Sequence, residues 1–132
     1  MDSYKYTELD ELVGKTIKEI SRNKKGEDDR IFVQTTDGKT YAMFLSQDCC
    51  ESVSIYDIKG ELESLIGSPL TIVEQKTSEK WPKDVAAHEY TPESFTWTWF
   101  TLKTAKSKKV IIRWLGESNG WYSEGVNFEE LT

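Results

Sequence analysis

The sequence predicts a β-rich α+β domain: two short helices with antiparallel meanders, in two related halves that form one curled or sandwiched sheet. Three observations carry that expectation. Runs of strand length, rich in β-branched and aromatic residues, recur between Gly, Asp and Asn punctuation. Two segments of one form, Glu8-Leu9-Asp10-Glu11-Leu12-Val13-Gly14 and Glu61-Leu62-Glu63-Ser64-Leu65-Ile66-Gly67, each lead into such a run. And 132 residues at 15.2 kDa make one domain, 1–132, that buries roughly two thirds of its unfolded surface without metal or disulfide staples.

Each element has a local reason. A short helix is expected over 7–13, with Thr7 as N-cap, Glu8 and Asp10 in the first turn and Gly14 as its stop. Strands follow at 16–22 and 30–36, separated by a polar turn at 23–29. Asp37-Gly38 is a hairpin turn that opens a strand at 39–45, and 52–59 reads as a fourth strand ending at Gly60. The pattern then restarts, which divides the chain into halves 7–60 and 61–132. In the second half, Leu70 and Val73 begin a strand, and Phe95-Thr96-Trp97-Thr98-Trp99 places both tryptophans on one face. Val110–Leu115 and Trp121–Phe128 read as a hairpin-like pair about Asn119-Gly120. The stretch 76–94, with Pro82 and Pro92, has no period and reads as an exposed loop that Trp81 and Tyr90 pin.

Several strands are apolar on both faces. Tyr41, Met43 and Leu45 oppose Ala42 and Phe44, while Val110, Ile112 and Trp114 oppose Ile111, Arg113 and Leu115. Such strands belong to a sheet covered on both sides or strongly curled.

Composition excludes several functions. Seventeen basic against 23 acidic side chains, net −6, argues against general nucleic-acid binding. No apolar run approaches the length of a membrane span, and Met1-Asp2-Ser3-Tyr4-Lys5 lacks a signal-peptide pattern. The two cysteines, Cys49 and Cys50, are neighbours and cannot staple distant parts of the chain, so the expected location is cytoplasmic. Adjacent cysteines are poor joint ligands for one zinc, and His88 is the only histidine. With no phosphate loop and no nucleophile elbow either, the expectation is a protein without cofactor, metal or catalytic activity.

Candidate binding residues fall in two motifs. Asp48, Cys49, Cys50 and Glu51 offer carboxylates beside two small sulfur side chains. Arg113, Trp114, Ser118, Asn119, Trp121, Tyr122, Ser123 and Glu124 form the segment densest in aromatic and polar groups. Arg113 lies between apolar neighbours and needs a partner, either a carboxylate such as Asp48, Glu51, Glu117 or Glu124, or an anionic ligand. If the halves are related, the loops 47–51 and 116–120 are counterparts and frame one site.

The motifs Gln47-Asp48-Cys49-Cys50-Glu51, Asp57-Ile58-x-Gly60, Leu65-Ile66-Gly67-Ser68-Pro69 and Arg113-Trp114-x-Gly116-x-Ser118-Asn119-Gly120-Trp121-Tyr122-Ser123-Glu124 together resemble a family of small uncharacterised proteins of bacteriophages and prophages, over roughly 10–128. Trp121 stands where that family more often has Tyr, and the loop 76–94 looks longer than usual. The resemblance implies no reaction. It implies a phage protein in the cytoplasm of the bacterial host that counters defence by binding a host defence protein. The alternatives are sequestration of a small anionic, nucleotide-like host signal and a structural or accessory role in the phage.

Overall fold

The computed structural model describes residues 4–23, 29–45, 50–86 and 93–131, with side chains from residue 7 onward. Asp48 and Cys49 lie outside the described residues, as does Tyr90. Nine strands are described: β1 (Tyr4–Tyr6), β2 (Ile17–Arg22), β3 (Ile31–Thr35), β4 (Thr40–Phe44), β5 (Ser52–Lys59), β6 (Leu70–Ser78), β7 (Ser94–Thr104), β8 (Lys109–Ser118) and β9 (Asn127–Leu131). They make two antiparallel sheets, ordered β1-β9-β4-β3-β2 and β5-β8-β7-β6. The β-rich expectation holds, with two separate sheets rather than one curled sheet.

Both expected helices are single 3₁₀ turns, Leu9–Leu12 and Leu62–Leu65. Four residues are too few for a stable α-helix, and the bonds present close one step shorter: the Glu11 N–H donates to the Glu8 carbonyl (3.1 Å), the Ser64 N–H to Glu61 (3.0 Å). Thr7 is not a cap; its hydroxyl donates to the Glu11 carboxylate (2.7 Å). Leu12 and Leu65 are fully buried, each contributing about 2 kcal/mol by burial.

The second half repeats the geometry of the first. Each sheet contains a three-strand meander from one half, β2-β3-β4 or β6-β7-β8, followed in space by the last strand of the other half. β5 leaves the first meander to pair with β8, and β9 leaves the second to pair with β4. At the junction the bonds are reciprocal: the Gly14 N–H donates to Leu70 (2.8 Å), and the Gly67 N–H donates to Ile17 (3.0 Å). Both meanders also begin with a register shift, Ile17/Glu19 and Leu70/Ile72. Their second hairpins, β3-β4 and β7-β8, match as well. Thr35 and Thr104 accept and donate the same turn bonds, and the left-handed position is Gly38 (φ 89°) in one and Ser107 (φ 64°) in the other.

This exchange corrects the expected pairing of 110–115 with 121–128. Asn127–Leu131 pairs with β4 and β1, while 119–126 is a crossover between sheets. The stretch expected to be a loop from residue 76 is also shorter, because Lys76, Thr77 and Ser78 continue β6 beside Trp99, Thr98 and Trp97.

Inner faces of the two sheets share one core. Ile17, Ile20, Ile31, Val33, Tyr41, Met43 and Phe128 meet Ile55, Leu70, Phe100, Leu102, Val110, Ile112 and Trp114 there. The second sheet is covered on its outer face too, where Trp81 and Val85 pack on Phe95, Trp97, Trp99 and Leu115. Trp81 therefore pins its segment, as its sequence suggested. Two covered faces explain why β8 is apolar in both directions.

One polar cluster ties the first turn to its hairpin. Lys15 Nζ donates to the Tyr41 hydroxyl (2.6 Å) and pairs with Asp37 (3.0 Å). Lys39 bridges Glu11 (3.2 Å) and Glu130 (3.6 Å). The Tyr41 ring is fully buried and stacked on Phe128 at 5.2 Å. The Thr35 hydroxyl, followed by Lys15, holds the Asp37 carboxyl down to about 2 from an ordinary 3.8. A carboxyl depressed on folding stabilises the fold above its unfolded pKa and loses that contribution as pH falls through the folded value. Stability should therefore decline as pH falls from about 4 to about 2. Denaturant melts of Asp37→Asn should show a shallower decline over that window than the parent chain; identical slopes would contradict the assignment.

Candidate functional site

The described part of the first motif, Cys50-Glu51, and residues 118–124 of the second sit on the two strand-exchanging connections, which join the sheets at the same end. The first leaves β4 after Phe44 and enters β5 at Ser52; the second leaves β8 after Ser118 and enters β9 at Asn127. Phe44 is the register partner of Asn127, and Ser52 that of Glu117. The connections thus start and finish beside one another, as expected of counterpart loops. In the first, Cys50 is exposed and disulfide-bonded, not a free thiol, and Glu51 is buried with a contact of its own.

The second crossover is built from its own motif. Gly116 is a glycine because the chain returns over it: a Cβ there would lie 2.1 Å from the Glu124 carbonyl oxygen. The Glu124 carboxylate accepts from the Thr96 hydroxyl (2.8 Å) and the Ser118 hydroxyl (2.5 Å). Ser118 in turn accepts from the Gly120 N–H (3.0 Å), and the Asn119 side chain accepts from the Trp121 N–H (3.1 Å). Asn119-Gly120 is therefore an Asx turn inside a crossover, not the tip of a hairpin. Ser118 and Asn119 bond within the loop, and Glu124 ties it both to Ser118 and to Thr96 of β7. What the loop presents outward is Trp121, 88% exposed, with Ser123 also exposed and Tyr122 half-buried.

Arg113 lies elsewhere, on the outer face of the second sheet. Its side chain is buried, and the guanidinium is fully engaged. Nε and Nη2 donate to the two Asp57 oxygens (3.0 and 2.6 Å), and Nη1 donates to both Asp84 oxygens (3.0 Å each). The Tyr56 and Trp97 rings flank it at 4.9 and 5.6 Å. Asp57, followed by Asp84 against the opposing effect of burial, holds it protonated beyond the ordinary arginine range. These partners are Asp57 and Asp84 rather than the expected Glu124, whose carboxylate takes the Thr96 and Ser118 hydroxyls; Asp48 lies outside the described residues. Two carboxylates around one guanidinium leave the spot net negative, so it repels an anion. The arginine tethers the 79–86 segment to the sheet. Trp114 is fully buried in the common core and packs rather than binds.

The structure thus brings Cys50, Glu51, Ser118, Asn119, Trp121, Tyr122, Ser123 and Glu124 to one end, and separates Arg113 and Trp114 from them. Sequence reasoning missed Asp57, Asp84 and Thr96. Asp57 lay in one of the motifs, Asp57-Ile58-x-Gly60, that the sequence resemblance had singled out, the one signal that could have flagged it. Among the described residues, no group of three or more His, Cys, Asp and Glu side chains could hold a metal ion. No helix there is long and apolar enough to cross a membrane.

Fold and site define a small two-sheet β-protein whose distinctive surface feature is an aromatic crossover loop. The chain belongs to the family described as Domain of unknown function (DUF7448), whose model matches residues 10–128. No curated protein and no solved structure matches it.

Arg113→Ala should lower unfolding free energy by roughly 2 kcal/mol, because Asp57 and Asp84 are left facing each other though part-exposed. Proteolysis should concentrate in 79–86 while the two sheets persist. Unchanged stability and protection would show that the arginine is not a tether.

Proposed function

We propose that this chain is a non-enzymatic binding protein that docks on another protein through the Trp121 crossover loop. In the phage setting that its motifs suggest, it acts in the bacterial cytoplasm as an inhibitor of a host defence protein. The observation that carries the reading is Trp121 itself: the largest side-chain type, almost fully in solvent, on a loop that Ser118, Asn119 and Glu124 hold in place. Tryptophan is enriched among residues that dominate binding energy, and a loop already ordered has less entropy to lose on docking. Sequestration of a nucleotide-like signal fits less well, since Arg113 is saturated by two carboxylates.

The test pairs function with fold. Expressed in bacteria carrying defence systems, the chain should restore plating of a sensitive phage. Trp121→Ala should weaken partner binding by about 2 kcal/mol or more and abolish the rescue, with an unchanged melting temperature. Full activity of Trp121→Ala would remove the loop from the interface. A small-molecule mass retained in native mass spectrometry and lost on denaturation would favour sequestration instead.

A further inference from the structure

β6 forms the edge of the second sheet: it pairs with β7 on one side and with no described strand on the other. Thr71, Ile72, Glu74, Gln75, Lys76 and Thr77 are all exposed along it. Leu70, at the start of β6, is bonded to Gly14 and Lys15; from Thr71 onward the edge presents backbone donors and acceptors that can template another strand. Natural edges avoid this with charged side chains, Pro, bulges or short length. Here the register shift is confined to Leu70/Ile72, leaving the rest of β6 regular. The charges on it are of opposite sign and adjacent on one face: Glu74 lies opposite Thr101 and Lys76 opposite Trp99 in β7. Among the described residues neither makes an ion pair.

We propose that two copies of this chain associate through β6, antiparallel and centred on Gln75, joining two four-stranded sheets into one continuous sheet. A two-fold axis normal to the sheet keeps each outer face on the same side, so opposed residues must share a face. Centring on Gln75 sets Glu74 against the partner's Lys76, twice by symmetry, Val73 against the partner's Thr77, and Ile72 against the partner's Ser78. Ile72, among the few exposed large apolar side chains, is covered in the process. The two neighbouring registers that keep faces matched fail: one sets Glu74 against Glu74, the other Lys76 against Lys76. The charge pair therefore selects one register. β2, the equivalent edge of the first sheet, has no such solution, because centring on Ile20 sets Lys18 against Arg22. The proposal is independent of the Trp121 reading, although a dimer presents two such loops.

Sedimentation velocity on the intact chain, from micromolar to millimolar, should show a concentration-dependent dimer, with amide protection of 71–78 rising alongside. Glu74→Lys should raise the dimer dissociation constant by about tenfold or more, and the swap Glu74→Lys with Lys76→Glu should restore it. Both substitutions are on exposed positions, and circular dichroism checks the fold. A monomer throughout the range, a Glu74→Lys dimer of unchanged strength, or a charge swap that fails to restore association would each overturn the proposal.

Discussion

The structure depends on an exchange of strands between halves. β5 is supplied by the first half to the second sheet, and β9 by the second half to the first. Neither sheet is complete without a strand from the other half, and the reciprocal bonds from Gly14 to Leu70 and from Gly67 to Ile17 lock the exchange at its centre. The first 3₁₀ turn packs on β6 and the second on β2, so each half also plugs the core of the other. Such a fold offers little that could form from one half alone, and its non-local pairings favour slow, cooperative folding.

Exchange also decides where a site can be. A strand that changes sheets needs a crossover, and two exchanged strands give two crossovers at one end of the sandwich. The motif from Gly116 to Glu124 closes the second crossover on itself through Ser118 and Glu124, which leaves Trp121 outside. Arg113 and Trp114, which share that stretch of sequence, lie on β8 with opposite duties: one tethers the outer segment, the other fills the core. Outer-face tether and core packing are thus divided between two adjacent residues by the alternation of a strand.

Much of the fold was legible because it is local. The first meander, the Asp37-Gly38 turn and the repeated Glu-Leu-acid-x-Leu segment could be read directly, and the repeat pointed to counterpart loops. What could not be read is non-local. Asn127-Phe128-Glu129-Glu130-Leu131 has weak strand character and forms β9 because β4 offers it an edge. Asn119-Gly120 carries a hairpin signature, yet the following strand pairs in the other sheet, so the signature marks only a turn. Arg113 meets Asp57 and Asp84, from another strand and from a segment whose polarity and prolines suggested solvent. The apolar content of that segment, Trp81 and Val85, was enough to cover the sheet.

Native-state hydrogen exchange on the intact chain tests the exchanged-strand account most directly. Slowest-exchanging amides of β4 and β9 in one sheet, and of β5 and β8 in the other, should share a single opening free energy equal to that of global unfolding, because neither sheet can open without withdrawing a strand from the other. Two distinct opening free energies, with one sheet exchanging while the other stays protected, would contradict it.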